Sequence, residues 1–180
     1  MAEELAKTLN LAPHPYGGFF KEVQRSAINV KPLTDDRGPR SASTSIYVVM
    51  RHDDINPWHK LNSDETFFYH KGASLKLYLI DEEGKLSCKI VGDTLQDPNA
   101  SYAQVVPAGM WFAGELLEKS ESSFVFFTAS TSPGFHFDDS QLGHVGKLSE
   151  MFPEHKELIE RLSIMHVHQE GATKQEEKTE

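Results

Sequence analysis

The chain has one cysteine, Cys88, in 180 residues, so no internal disulfide can form and stability cannot rest on crosslinks. The run around it, Leu86-Ser-Cys-Lys-Ile90, reads as a strand in which Cys88 is a small, partly buried hydrophobe rather than a nucleophile. No apolar stretch approaches the roughly 18 residues that cross a bilayer. Runs of Lys or Arg are missing too, and 18 basic against 27 acidic residues leave a formal net charge of −9. Nucleic-acid affinity depends on cationic side chains displacing counterions, so the charge argues against a general phosphate-binding surface and leaves only a local basic patch open. There is no Gly-rich phosphate loop, paired CxxC motif or nucleophile elbow. The first residues, Met1-Ala-Glu-Glu-Leu5, are acidic and have no apolar stretch. No secretory signal is therefore expected, and the expected location is cytoplasmic.

What is present is globular in composition, 38% hydrophobic and 25% charged. The length suits one domain, expected over residues 1–165, followed by a polar tail over 166–180. Residues 3–10 read as a short helix. His14-Pro-Tyr-Gly-Gly18 is dense in turn formers, and its paired glycines allow positive φ or close backbone approach. Residues 19–25 read as a strand and 29–41 as an exposed loop.

From Ala42 onward short β runs alternate with turns, at 44–50, 66–70, 74–80, 85–91, 102–106, 111–117 and 123–129. The run at 74–80 alternates cleanly, with Leu75, Leu77 and Leu79 on one face. This spacing predicts an all-β sandwich or barrel. Pro153 suits the first turn of a final helix over 154–162, with Leu158, Ile159 and Leu162 as its apolar stripe.

The segment Trp58-His-Lys-Leu-Asn-Ser-Asp-Glu65, continuing to Gly72, carries the most chemistry. A histidine ends one strand and a carboxylate opens the next, so a hairpin can bring His59 and Glu65 together. Period two places Glu65, Phe67 and Tyr69 on one face and Thr66, Phe68 and His70 on the other. His59, with an ordinary pKa near 6.5, is a candidate general base, oriented by Glu65 or Asp64, with Tyr69 or Tyr47 as the acid. That set suits proton abstraction next to a carbonyl; the alternative is a hydrogen-bonded structural histidine. Trp58, Phe67, Trp111 and Phe112 form either an aromatic wall for a flat ligand or core contacts. Glu22 and Arg25 either orient an anionic ligand or make a surface ion pair. Residues 134–139 either fold over a pocket mouth or simply connect strand to helix. His166-Val-His168 has the alternation of a metal site but precedes a polar tail.

These residues resemble the cupin superfamily. Its first motif runs G, five residues, H-x-H, three or four residues, E, six residues, G. His59, Glu65 and Gly72 match it, whereas Asp53 replaces the first glycine and Leu61 the second histidine. Its second motif is P-x-G followed two residues later by histidine. Pro107-Ala-Gly109 matches, with Phe112 in the histidine place. A closer resemblance is to a single-domain cupin subfamily without an established activity. It is carried by His14-Pro-Tyr-Gly-Gly18, Phe20-Lys-Glu-Val-Gln-Arg-Ser26, Thr44-Ser-Ile-Tyr47, Trp58-His59, Asp64-Glu65, Val106-Pro-Ala-Gly-Met-Trp111 and Pro133-Gly-Phe135 with Phe137. Members usually carry Glu where Tyr16 stands and an acidic residue where His136 stands.

The resemblance implies an all-β cupin double-stranded β-helix, a jelly-roll barrel, with short N-terminal and C-terminal helices. It also implies a small-molecule ligand and a homodimer. The fold is similar to that of dTDP-4-dehydrorhamnose 3,5-epimerase, which makes a sugar- or nucleotide-like ligand and metal-free isomerase or epimerase chemistry the leading expectation. Metal-binding cupins generally use three histidines and a glutamate, of which only His59 and Glu65 stand here. No metal cofactor is therefore expected. The alternatives are a metal-dependent oxygenase or lyase holding a divalent transition metal through those two residues, and a non-catalytic sensor. No nucleic-acid or membrane partner is expected.

Overall fold

The computed structural model describes residues 1–33 and 35–163. The expected boundary near residue 165, the tail and His166-Val-His168 lie outside the described residues.

The chain opens with helix α1 (Ala2–Thr8), then strands β1 (Ala12–Pro13), β2 (Phe19–Arg25), β3 (Asn29–Val30) and β4 (Arg40–Ser41). The main β run follows as β5 (Thr44–Arg51), β6 (Ile55–Leu61), β7 (Asp64–Gly72), β8 (Leu75–Ile80) and β9 (Leu86–Val91). It continues with β10 (Ala103–Val106), β11 (Trp111–Leu116), β12 (Phe124–Ser132) and β13 (Ser140–Leu142), and ends in α2 (Val145–Met151) and α3 (Lys156–Arg161). Two antiparallel sheets face each other, six strands in the order β1-β2-β5-β12-β7-β10 and five in the order β13-β6-β11-β8-β9. The all-β cupin jelly roll is thus present as a sandwich whose sheets do not close into one hydrogen-bonded ring.

Alternation along the strands builds two cores on opposite sides of the five-stranded sheet. Leu75, Leu77 and Leu79 point inward with Leu61, Phe112 and Leu116, meeting Val48, Met50, Phe67 and Phe127 of the other sheet. The intervening Tyr78 and Ile80 point outward with Trp58, Trp111 and Ala113, and there α2 and α3 cover them with Leu148, Ile159 and Leu162. Both faces of β8 are therefore dry. Helix α1 packs on Val49 and Phe124 on the outside of the six-stranded sheet.

Several elements differ from the expected pattern, among them β3 and β4, which pair at the two ends of the segment read as a loop, and β13. Helix α2 carries Gly146 and only one buried residue, Leu148, too weak a stripe for periodicity to reveal. The final helix is split, with a 3-10 turn at Pro153–His155 leading into α3. Cys88 is exposed, because β9 is an edge strand.

Candidate active site between the sheets

A cavity of about 370 Å³ lies between the two sheets. Ile46, Val48 and Met50 of β5, Leu61 of β6, Phe67 of β7, and Phe127 and Ala129 of β12 give it hydrocarbon walls. Into this apolar setting the chain places His59 from β6 and Glu65 from β7. The turn at His14–Gly17, Glu22 and Arg25 of β2, and Phe135 and Phe137 border it as well. Residues 134–139 therefore do more than connect two elements. Their position is held by Asp139, which is buried and accepts from Arg40 through Nε at 2.8 Å and Nη2 at 2.9 Å, and from Arg37 at 3.2 Å.

The expected partnership of His59 with a carboxylate is not formed. Nδ1 of His59 lies 2.7 Å from the carbonyl oxygen of Pro57. A carbonyl can only accept, so Nδ1 carries the proton and Nε2 keeps its lone pair. No described residue bonds Nε2, which opens onto the cavity. The ring lies 4.0 Å from that of Phe112, centroid to centroid. Burial lowers the pKa of His59 to about 4; the Pro57 carbonyl opposes this and nearby His14 adds to it. The ring is neutral at pH 7.

Glu65 stands directly opposite Thr131 in the β7–β12 ladder. Burial raises its pKa to about 7, with the Thr131 hydroxyl partly opposing. No cation among the described residues compensates it, so its carboxyl interconverts between acid and base near neutrality. Asp64 is turned elsewhere: its Oδ1 accepts from the backbone N–H of Ala108 at 2.8 Å, fastening the Pro107-Ala-Gly109 turn.

Of the remaining expected site residues, the structure brings Phe67, Glu22 and Arg25 to the cavity, with Phe112 in the inner core behind His59. Trp58 and Trp111 are corrected to the outer core under the helices. Each is adjacent in sequence to an inward residue, His59 and Phe112, and neighbours on a strand cannot share a face. Tyr47 fails for the same reason, lying between cavity residues Ile46 and Val48 and packing outside on Phe126 and His70. Tyr69 shares the face of Phe67 but does not reach the cavity. Beyond it the β7–β12 register slips, and its hydroxyl donates to the carbonyl of Gly72 at 2.6 Å.

One residue absent from the expected set is His14. Its ring packs edge-on against Phe20 and Tyr16, with centroids 4.9 and 5.4 Å away. The turn carrying it is locked, because Gly17 and Gly18 have φ of 112° and 73°. A Cβ on Gly18 would sit 2.4 Å from the Val49 carbonyl oxygen. The His14-Pro-Tyr-Gly-Gly18 motif indicates a turn without saying where it docks. His136, by contrast, caps a local turn by accepting from the N–H of Asp138.

The cupin fold implies a metal, so the donor set has to be weighed. Leu61 and Phe112, in the places of the two absent histidines, are 4% and 1% exposed and fill that space with hydrocarbon. Among the described residues no group of three or more His, Cys, Asp or Glu could hold an ion. The residues present do not fit the family's metal.

Residues 3–143 match the family model described as Cupin superfamily (DUF985). The chain is 29% identical over 147 residues to Uncharacterized protein YML079W of Saccharomyces cerevisiae, covering 76% of this chain and 72% of the yeast protein. In structure it is similar to protein SO0799 from Shewanella oneidensis, with a TM-score of 0.80 and 31% identity over 91% of this chain and 97% of that one. A hypothetical protein from Leishmania major gives a TM-score of 0.82 and 29% identity, covering 92% and 99% of the two chains. Oxalate decarboxylase from Bacillus subtilis matches at a TM-score of 0.51 and 17% identity, over 83% of this chain and 36% of the enzyme. That last likeness concerns the fold alone. No helix among the described residues is long and apolar enough to cross a membrane.

Proposed function

The chain belongs to the cupin superfamily (DUF985), and from that premise we propose that its inter-sheet cavity binds a small organic molecule and exchanges protons with it without a metal, as an isomerase or epimerase does. The observation that carries the reading is a single enclosure with two complementary groups: an imidazole whose tautomer is fixed by Pro57 and a carboxyl without a counter-charge. Groups whose environments drive their pKa values apart are the usual basis for dividing acid and base roles.

The roles differ from those expected of the sequence alone. A base with a pKa near 4 draws weakly on a carbon-bound proton, whereas Glu65 titrates near the working pH. Glu65 as carboxylate takes the proton from the carbon beside a carbonyl. The C–H electron pair moves into the carbon–carbon bond and the carbonyl π pair onto oxygen. Return of the proton from Glu65 to the neighbouring carbon completes an isomerisation. The hydroxyl proton passes between the two substrate oxygens through Nε2 of His59, so charge and protons balance.

The test is deuterium wash-in from heavy water into α-hydroxyketones and aldoses, followed by NMR, with wild type and Glu65→Gln. Label next to the carbonyl in wild type and none in the variant is expected. Binding of these compounds without label in either protein favours the second reading, a non-catalytic sensor, for which the weakly basic His59 is the specific observation. We further propose a cytoplasmic homodimer, as the family resemblance implies; sizing chromatography returning a single 20.3 kDa chain would refute the dimer.

A further inference from the structure

We infer that the cavity selects an uncharged α-hydroxyketone with an apolar body, whose carbonyl oxygen accepts a hydrogen bond from Nε2–H of His14. This rests on the reading of the cavity as a ligand site, and it narrows the sugar- and nucleotide-like ligands expected from the sequence.

The first strand of the argument is charge. Among the described residues Arg25 is the one Arg or Lys side chain bordering the cavity, and its fork is already filled. Nε and Nη2 donate to the two carboxylate oxygens of Glu22 at 2.8 and 2.7 Å, and Nη1 donates to the Phe135 carbonyl at 3.2 Å. A phosphate or carboxylate could recruit this guanidinium only by displacing Glu22 and then lying beside that anion. Deeper in, the remaining formal charge is Glu65, again the wrong sign. An anion would leave water without a partner, which is costly.

The second strand is hydrogen-bond polarity. Nδ1 of His14 accepts from the backbone N–H of Tyr16 at 3.2 Å, so the neutral ring carries its proton on Nε2 and offers a donor. The glycine-locked turn holds that ring in place. His59 offers an acceptor, Nε2, and Glu65 an acceptor or an acid. One donor beside two acceptors matches a carbonyl next to a hydroxyl. The rest of the enclosure is hydrocarbon from Ile46, Val48, Met50, Leu61, Phe67 and Phe127, which suits an apolar body.

Calorimetric titration of the full chain with five probes of one ring size tests this: phenacyl alcohol, phenethyl alcohol, phenyl phosphate, phenylacetate and phenethylamine. Phenacyl alcohol should bind at least about tenfold more tightly than either anion, the scale set by an uncompensated charge. His14→Phe should weaken phenacyl alcohol about fivefold, the worth of one hydrogen bond, and leave phenethyl alcohol unchanged. The wild-type probe series needs no variant, which keeps the test intact if His14→Phe fails to fold. Tighter binding of phenyl phosphate, phenylacetate or phenethylamine than of phenacyl alcohol, or unchanged phenacyl alcohol binding in folded His14→Phe, overturns the inference while leaving the cavity a ligand site. Failure of all five probes overturns the ligand-site reading and the inference with it.

Discussion

Glu115, beneath the C-terminal helices, and Glu65, on the cavity, are both buried carboxylates in strand interiors, at 5% and 9% exposure. Glu115 accepts from the Tyr78 hydroxyl at 2.9 Å and pairs with Arg161 and Lys119. Burial works to raise its pKa, but those three partners prevail and hold it below the usual range. Glu65 has Thr131 alone, and there burial prevails. The difference teaches how this fold separates stability from chemistry. On the helix-covered side the Glu115 carboxylate is satisfied by its three partners, as a buried structural carboxylate requires. On the cavity side, among the described residues, Glu65 has one hydroxyl partner and Nε2 of His59 has none.

The contrast can be broken most forcefully at Trp58. Its indole is fully buried in the outer core, and Nε1 donates to the Leu158 carbonyl at 3.5 Å. Trp58→Ala should cost about 4 kcal/mol, read from urea unfolding, and leave ligand affinity unchanged in the folded fraction. A near-neutral stability with lost ligand binding would return Trp58 to the cavity wall.

Next in size are Glu65→Gln and His59→Gln, compared with wild type across pH. Glu65 titrates at about 7 in the folded protein against 4.5 ordinarily. Its stability contribution is therefore fully present below pH 4.5 and is lost as pH rises through 7. His59 titrates at about 4 against 6.5, so its contribution is present above pH 6.5 and lost as pH falls through 4. The two slopes oppose each other over the shared window and largely cancel in wild type. Each variant removes one slope. Glu65→Gln should gain about 3 kcal/mol on wild type at about pH 8 and nothing below its unfolded pKa. His59→Gln should gain a similar amount, about 3 kcal/mol, at about pH 3 and nothing at neutrality. Difference curves that stay flat with pH would mean that neither group is enclosed as described.

How much of this could be read beforehand follows from which contacts are local. The motif spacing around His59, Glu65 and Gly72 carried the hairpin, and with it the sharing of one cavity. Strand alternation placed Leu75, Leu77 and Leu79 correctly, and the same rule applied consistently would have removed Trp58, Trp111 and Tyr47 from the wall. The two tryptophans were chosen for aromatic character and Tyr47 as an acid, in each case against the pleat. Tyr69 obeyed the alternation and stands opposite Phe127, but its hydroxyl turns back to the Gly72 carbonyl of its own strand, a contact that alternation does not report. His14 depends on a turn docking against Asp54 and the carbonyl of Val49, residues more than thirty positions away, which no local pattern reports.

On the helix-covered side, Glu115→Gln tests whether satisfaction of the carboxylate matters. It keeps the side-chain shape but loses the charge facing Arg161, so stability should fall by about 2 kcal/mol at neutral pH. Because the folded pKa of Glu115 is lowered, its contribution is present above the unfolded value and is lost as pH falls. The deficit should therefore shrink in acid, the opposite trend from Glu65→Gln. Matching trends in the two variants would erase the distinction between the two sites.

The smallest effect is expected at the cavity mouth. Arg25 and Glu22 form a bidentate pair at 2.7 and 2.8 Å, yet their side chains are 43% and 41% exposed. Water screens such a pair, and ordering two long side chains offsets most of the Coulomb gain. Arg25→Gln should therefore change stability by less than about 0.5 kcal/mol, measured by the same urea titration. It also leaves the Glu22 carboxylate without its partner beside the entrance, so a cationic probe such as phenethylamine should gain affinity where wild type shows little. A stability loss comparable to that of Glu115→Gln would mean that the mouth, like the helix-covered side, is held for structure. The division between a satisfied outer side and an open inner one would then stop at the cavity floor.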